Sequence, residues 1–177
     1  PEANYELISS IVMNSVNVAE RLSSVGAVIA NEFKGTLDGK EFSIHGFNTD
    51  ELAKTDTIEL ENVAEFALFK TLTGATIKNL VVGSPNIQLI LSNMFATSTS
   101  NVVKLSLIAT GVNNSTINDI VVYGFEFELT ASTSVKLSGG VRISSLVASA
   151  TNTTLAQVNI NSVNVTITEN ISINNNS

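Results

Sequence analysis

The stretch Ala64–Gly83 reads Ala64-Glu65-Phe66-Ala67-Leu68-Phe69-Lys70-Thr71-Leu72-Thr73-Gly74-Ala75-Thr76-Ile77-Lys78-Asn79-Leu80-Val81-Val82-Gly83, and its second half decides the fold. The phrase Thr76-Ile77-Lys78-Asn79-Leu80-Val81-Val82 returns as Thr116-Ile117-Asn118-Asp119-Ile120-Val121-Val122 and again as Thr154-Leu155-Ala156-Gln157-Val158-Asn159-Ile160. The offsets are 116 − 76 = 40 and 154 − 116 = 38. Recurrence at a nearly constant period is the mark of a repeat architecture, in which equivalent segments lie next to one another.

Each phrase changes phase in its middle. Ile77 alternates with Ala75, whereas Leu80 and Val82 alternate in the opposite sense, and the two patterns meet at Lys78-Asn79. A straight strand cannot change phase without turning apolar side chains outward. A bend can, and Asn tolerates the left-handed backbone that a bend requires. The second copy places Asn118-Asp119 there and the third Ala156-Gln157. Each copy is therefore read as two short strands meeting at a corner.

An apolar pair stands eight or nine residues before each copy: Leu68-Phe69, Leu107-Ile108 and Leu146-Val147. Two strand segments within each period of about 40 predict a right-handed parallel β-helix (β-solenoid) of seven to nine coils, roughly 20 residues per coil. Ile77, Ile117 and Leu155 would form a buried column, with Leu80, Ile120 and Val158 beside it. An antiparallel sandwich also accounts for alternation, but not for the joint repeat of corner and upstream pair.

Composition agrees with an all-β chain. Of 177 residues, 44% are hydrophobic but only 6% aromatic, so the core is built from Val, Ile, Leu and Ala. The length suits a single domain, taken as residues 1–173 with 174–177 as a tail or linker. Net charge is −7, with acidic residues crowded into Asp38–Glu65, which speaks against nucleic acid and anionic membrane as partners. No run reaches the length of a membrane-spanning helix. Cysteine is absent, so neither a disulfide nor a thiolate metal site is available.

Between these landmarks, Tyr5–Met13 and Val25–Ala30 read as short strands and Val16–Leu22 as a helical turn. Asp38-Gly39 signals a turn before Phe42-Ser43-Ile44, and Asn48–Thr57 reads as a polar loop.

Phe33-Lys34-Gly35-Thr36-Leu37-Asp38-Gly39-Lys40-Glu41-Phe42-Ser43-Ile44 resembles the opening motif of bacterial surface proteins with GLUG-type repeats. Phe66–Leu80 resembles their repeat unit, Asn4–Met13 the strands that precede it, and Gly139–Ile160 a later, degenerate unit. The glycines of the family's repeat are replaced here by Ala67 and Lys70, and its motif after the turn by Lys40-Glu41-Phe42. The resemblance implies an adhesin-like parallel β-helix on a secreted or cell-surface protein. It carries no catalytic residue.

Chemistry-bearing residues are few. His45 is the sole histidine, which excludes a multi-histidine metal site. The acidic cluster Asp50, Glu51 and Asp56, with Glu59 and Glu61, is the candidate for a calcium site, although no EF-hand spacing accompanies it. Six Asn-X-Ser/Thr sequons begin at Asn113, Asn114, Asn152, Asn164, Asn170 and Asn175 and are the candidate N-glycosylation positions. Glycoside chemistry would need two carboxylates within about 10 Å in one groove. Asp38 and Glu41, near Lys40, and the pair Glu126 and Glu128 are the places to look. Thr151, Thr153, Thr154, Thr166 and Thr168 are too scattered for an ice-binding face. No cofactor motif occurs.

The expected function is non-catalytic: an extracellular or cell-surface adhesin or structural module. A self-assembling filament or sheath subunit stacking end to end is the alternative, and a carbohydrate-active enzyme the third. Expected partners are further domains of a longer chain or further copies at the ends, and a host or carbohydrate ligand, with no membrane insertion.

Overall fold

In the computed structural model the three phrases lie side by side in one parallel sheet. The structure describes residues 2–14, 27–29, 31–46, 63–83, 85–91, 102–131, 135–137, 141–167 and 171–173. The helical turn at Val16–Leu22, the loop at Asn48–Thr57 and the 174–177 tail lie outside them.

The strands, in chain order, begin with β1 (Tyr5–Glu6), β2 (Ile11–Val12), β3 (Ala27–Ile29), β4 (Thr36–Asp38) and β5 (Ser43–His45). The middle of the chain forms β6 (Val63–Thr73), β7 (Thr76–Gly83), β8 (Asn86–Leu91), β9 (Val102–Ser106), β10 (Ala109–Asn113) and β11 (Thr116–Ala131). The last are β12 (Val135–Leu137), β13 (Val141–Ser144), β14 (Ala150–Thr151), β15 (Thr154–Ile167) and β16 (Ile171–Ile173).

Register follows the repeat. Ile117 pairs with Ile77 on one side and Leu155 on the other, and Ile120 with Leu80 and Val158. A fourth copy, Thr36-Leu37-Asp38, sits on Thr76-Ile77-Lys78. Every ladder among the described residues is parallel, which disposes of the antiparallel sandwich.

The single β-helix with coils of roughly 20 residues is not what forms. The strands divide among an eight-stranded sheet (β1-β4-β7-β11-β15, with β2, β5 and β8), a six-stranded sheet (β13-β9-β6-β10-β14, with β3) and the pair β12-β16. One of the two larger sheets is curled into a half-barrel. Partners in the β7–β11, β6–β10 and β11–β15 ladders lie 116 − 76 = 40, 109 − 69 = 40 and 154 − 116 = 38 residues apart, not about 20. The upstream apolar pair explains the difference. Leu68-Phe69 belongs to β6 and Ile77 to β7, and these strands enter different sheets. Each period thus supplies strands to both large sheets, β6 to one and β7 and β8 to the other, then β9 and β10 to one and β11 to the other, and its two halves face each other instead of stacking.

The core fills the space between the sheets. Phe66, Phe69, Leu72, Leu105 and Val112 from one meet Ile77, Leu80, Ile117, Ile120 and Val122 from the other. Tilted ring packing joins Phe33 to Phe69, with centroids 5.3 Å apart. The expected column is buried at Ile77 and Ile117, each fully enclosed, but Leu155 is 45% exposed. Leu155 lies on β15, whose sole ladder partner among the described residues is β11, so one flank of its side chain has no neighbouring strand.

The corners take the expected backbone. Asn79, Asp119 and Gln157 have φ of 52°, 53° and 51°. A second column of left-handed residues, Gly74, Asn114 and Asn152, turns the chain from one sheet into the other. Where the phase changes, the left-handed residue lets Ile77 and Leu80 both point inward although they are three apart.

Candidate functional site: a groove beside the bend column

On the outer face, Glu41, Asn79, Val81, Asp119, Val121 and Gln157 line an open groove of about 630 Å³. Its polar wall follows from the fold. A left-handed corner selects Asn, Asp or another polar residue, and parallel register stacks the corners of successive copies. Asn79, Asp119 and Gln157 therefore form a ladder with strand spacing near 4.8 Å. Glu41 extends it, because its N–H donates to the Asn79 carbonyl at 2.8 Å. Val81 and Val121, register partners on β7 and β11, supply the apolar part.

Beneath the ladder sits a buried charge. Asp38 is 4% exposed. Its Oδ1 accepts from Asn79 Nδ2 at 2.9 Å and from the Lys40 backbone N–H at 3.0 Å. Its Oδ2 lies 3.3 Å from both Lys40 Nζ and Lys78 Nζ, and Lys40 also reaches Glu6. These bonds, led by the Asn79 amide, hold the Asp38 carboxyl well below the ordinary carboxylate range. A depressed folded pKa stabilises the fold above the unfolded carboxylate pKa, about pH 4. That contribution fades as pH falls below it. Thermal unfolding followed from neutral to acidic pH should show wild type losing several degrees below that point. Asp38→Asn should start lower at neutral pH and show a flatter acid limb. An unchanged acid limb in Asp38→Asn would remove Asp38 from that role.

The other sequence candidates scatter. Asp50, Glu51 and Asp56 lie outside the described residues, as do Glu59, Glu61, Asn170 and Asn175. Among the described residues no group of three or more His, Asp or Glu could hold a metal ion. Asn113, Asn114, Asn152 and Asn164 are all at the surface. His45 is exposed, and its Nε2 lies 2.6 Å from Ser43 Oγ, which in turn bonds Ser10 Oγ. No carboxylate completes that pair among the bonds described. Glu126 and Glu128 point away from the core between buried Phe125, Phe127 and Leu129, as their alternation predicts. Asp38 and Glu41 are separated in role, the first a buried clamp and the second a groove residue.

In the sequence Asn79, Asp119 and Gln157 stand out only as corners. The signal for a site was present in their shared polarity at a recurring position. Groove formation depends on side-by-side stacking, which no single copy encodes.

No protein family matches this chain, and neither a curated protein nor a solved structure matches it.

Proposed function

We propose that this chain is a non-catalytic, secreted or cell-surface module of adhesive or structural type, related to the GLUG-repeat proteins, that holds a hydroxyl-rich polymer such as a glycan along the bend groove. The observation that carries this reading is the ladder Glu41–Asn79–Asp119–Gln157 above Val81 and Val121. Carboxylates accept hydrogen bonds from hydroxyls, carboxamides accept and donate them, and valine side chains cover the C–H faces of sugar rings. A site repeated at strand spacing across four neighbouring segments matches a ligand that is itself a repeating chain.

The test is a binding screen of the full chain against polysaccharides and immobilised glycans, followed by calorimetry on the best binder. Asp119→Asn suits the purpose, because Asn also tolerates the left-handed corner. It should leave the melting temperature in place and weaken binding about tenfold, the scale of one lost charge-assisted hydrogen bond of about 1.5 kcal/mol. No hydroxyl-rich binder, or equal affinity in Asp119→Asn, would remove the proposal.

One observation favours a second reading. Glu41 and Asp119 flank Asn79, two strand spacings or about 10 Å apart along the ladder, which approaches the carboxylate separation of inverting glycoside hydrolases. Release of new reducing ends from a bound polysaccharide, abolished by both Glu41→Gln and Asp119→Asn, would establish that reading instead.

A further inference from the structure

Exposed apolar side chains are concentrated at the two ends of the eight-stranded sheet. Of ten large hydrophobic residues exposed among the described residues, four (Tyr5, Ile8, Ile11 and Val12) belong to the β1–β2 segment and four (Leu155, Val163, Val165 and Ile167) to β15. Position decides this exposure more than residue type. Ile117, Phe125, Phe127 and Leu129 on β11 are the register partners of the four β15 residues and are at most 2% exposed.

β15 also lacks the usual protection of an edge. Sheet margins are normally blunted by charged residues, proline or an inward-pointing charge. Thr154–Ile167 contains no Lys, Arg, Asp, Glu, Pro or Gly over 14 residues. Its inner flank makes twelve register pairs with β11, and no strand among the described residues pairs with its outer flank.

The two ends present the same columns. Register runs Tyr5–Leu37–Ile77–Ile117–Leu155 through one column. It runs Ile11–Ile44–Val82–Val122–Ile160 through the other. A second molecule placed beyond β15 in the same orientation sets its Tyr5 against Leu155 and its Ile11 against Ile160, so both columns continue. The spacing differs by one residue, 11 − 5 = 6 against 160 − 155 = 5. The fold already absorbs a larger mismatch, because Leu37 and Ile44, seven apart, sit on Ile77 and Val82, five apart. The Lys40-Glu41 turn takes up those two residues.

We infer that the outer edge of β15 is an assembly surface whose occupant is the β1–β2 edge of a second copy of this chain, docked in parallel register. This goes beyond the groove reading and stands independently of it. The competing self-association, β15 against β15 about a two-fold axis, covers only one end and leaves Tyr5, Ile8, Ile11 and Val12 in water. In this register head-to-tail docking covers Tyr5, Ile11 and Val12 together with residues 155–161 of β15, and because it is heterologous it does not close on a dimer but propagates.

The test uses two variants blocked at opposite ends, Ile11→Lys and Leu155→Lys. Both side chains are at least 40% exposed, so each variant should remain folded, as thermal unfolding will verify. Sedimentation of the wild-type chain should show a concentration-dependent series of oligomers. Each variant alone should be monomeric, with association weakened at least tenfold. An equimolar mixture should form heterodimers and nothing larger, since each variant retains one competent end. Hydrogen exchange of β15 amides in wild type, slowed at high protein concentration, gives a readout that needs no variant. A wild-type monomer at millimolar concentration with unprotected β15 amides would overturn the proposal. So would self-dimers of Ile11→Lys, which would signal β15-to-β15 pairing, or a mixture that stays monomeric.

Discussion

Ile117→Ala is expected to lower the free energy of unfolding by about 2–5 kcal/mol, the cost of a cavity in a packed interior. Ile117 has no exposed surface and lies between Ile77 and Leu155 in the ladder, with the second sheet across the core. Strands on both sides hold the backbone, so the site cannot collapse around the missing atoms. Leu155→Ala deletes a side chain of similar size from the same column, but Leu155 is already 45% exposed. Its loss should be roughly 1 kcal/mol, in proportion to the smaller apolar area it withdraws from water. Urea unfolding of both variants at low protein concentration, where copies do not associate, measures the difference. Equal losses would mean that Leu155 is as enclosed in solution as Ile117, contrary to the structure.

Gly39→Ala should be the other severe change. A methyl group on Gly39 would stand 2.3 Å from the Asn79 carbonyl oxygen, 2.7 Å from Leu80 Cα and 2.9 Å from the Asn79 carbonyl carbon. All three are backbone atoms, so no rotamer change relieves the clash. The turn after β4 would have to lift off β7. That would stretch the bonds from Gly39 N–H to the Lys78 carbonyl and from Glu41 N–H to the Asn79 carbonyl, both 2.8 Å. It would also carry Glu41 away from the groove and Asp38 away from Asn79. Overpacking of this kind costs about 1–3 kcal/mol where side chains can adjust, and rigid backbone places Gly39→Ala at or above the top of that range. Gly83→Ala is the control. Its added methyl would meet His45 Nδ1 at 2.0 Å, but that ring is exposed and can swing aside. A Gly39→Ala protein that melts with wild type would show that the turn does not rest on β7 as described.

The two glycines differ in how visible their roles are. Gly39 follows Asp38 in a dipeptide that announces a turn, and Lys40 and Glu41 do form one, with φ of 50° and 63°. Nothing in that dipeptide says that the turn packs against the next copy's corner. The same turn hid the fourth copy. Thr36-Leu37-Asp38 begins like the other phrases, but the two additional residues before Ile44 break the pattern that a scan for the whole phrase would detect.

What the sequence determined by itself is local and periodic. Alternation of Ile77 with Ala75 and of Leu80 with Val82 set which side chains face inward. The phase change required a corner, and Asn79 and Asp119 are residues that can take a left-handed φ at bearable cost. Recurrence at 40 and 38 residues set the parallel register, since stacking like on like buries every apolar position at once. Tertiary structure alone decided the remainder. Leu68-Phe69 and Ile77 have the same apolar, strand-forming character, and nothing local distinguishes two coils in one wall from two strands in opposing sheets. That choice depends on which surfaces meet across the core, an energy shared among residues far apart in the chain. The groove and the exposed β15 edge arise in the same way. Gln157 becomes part of a ladder, and Leu155 loses its cover, only through the strands that do or do not lie beside them.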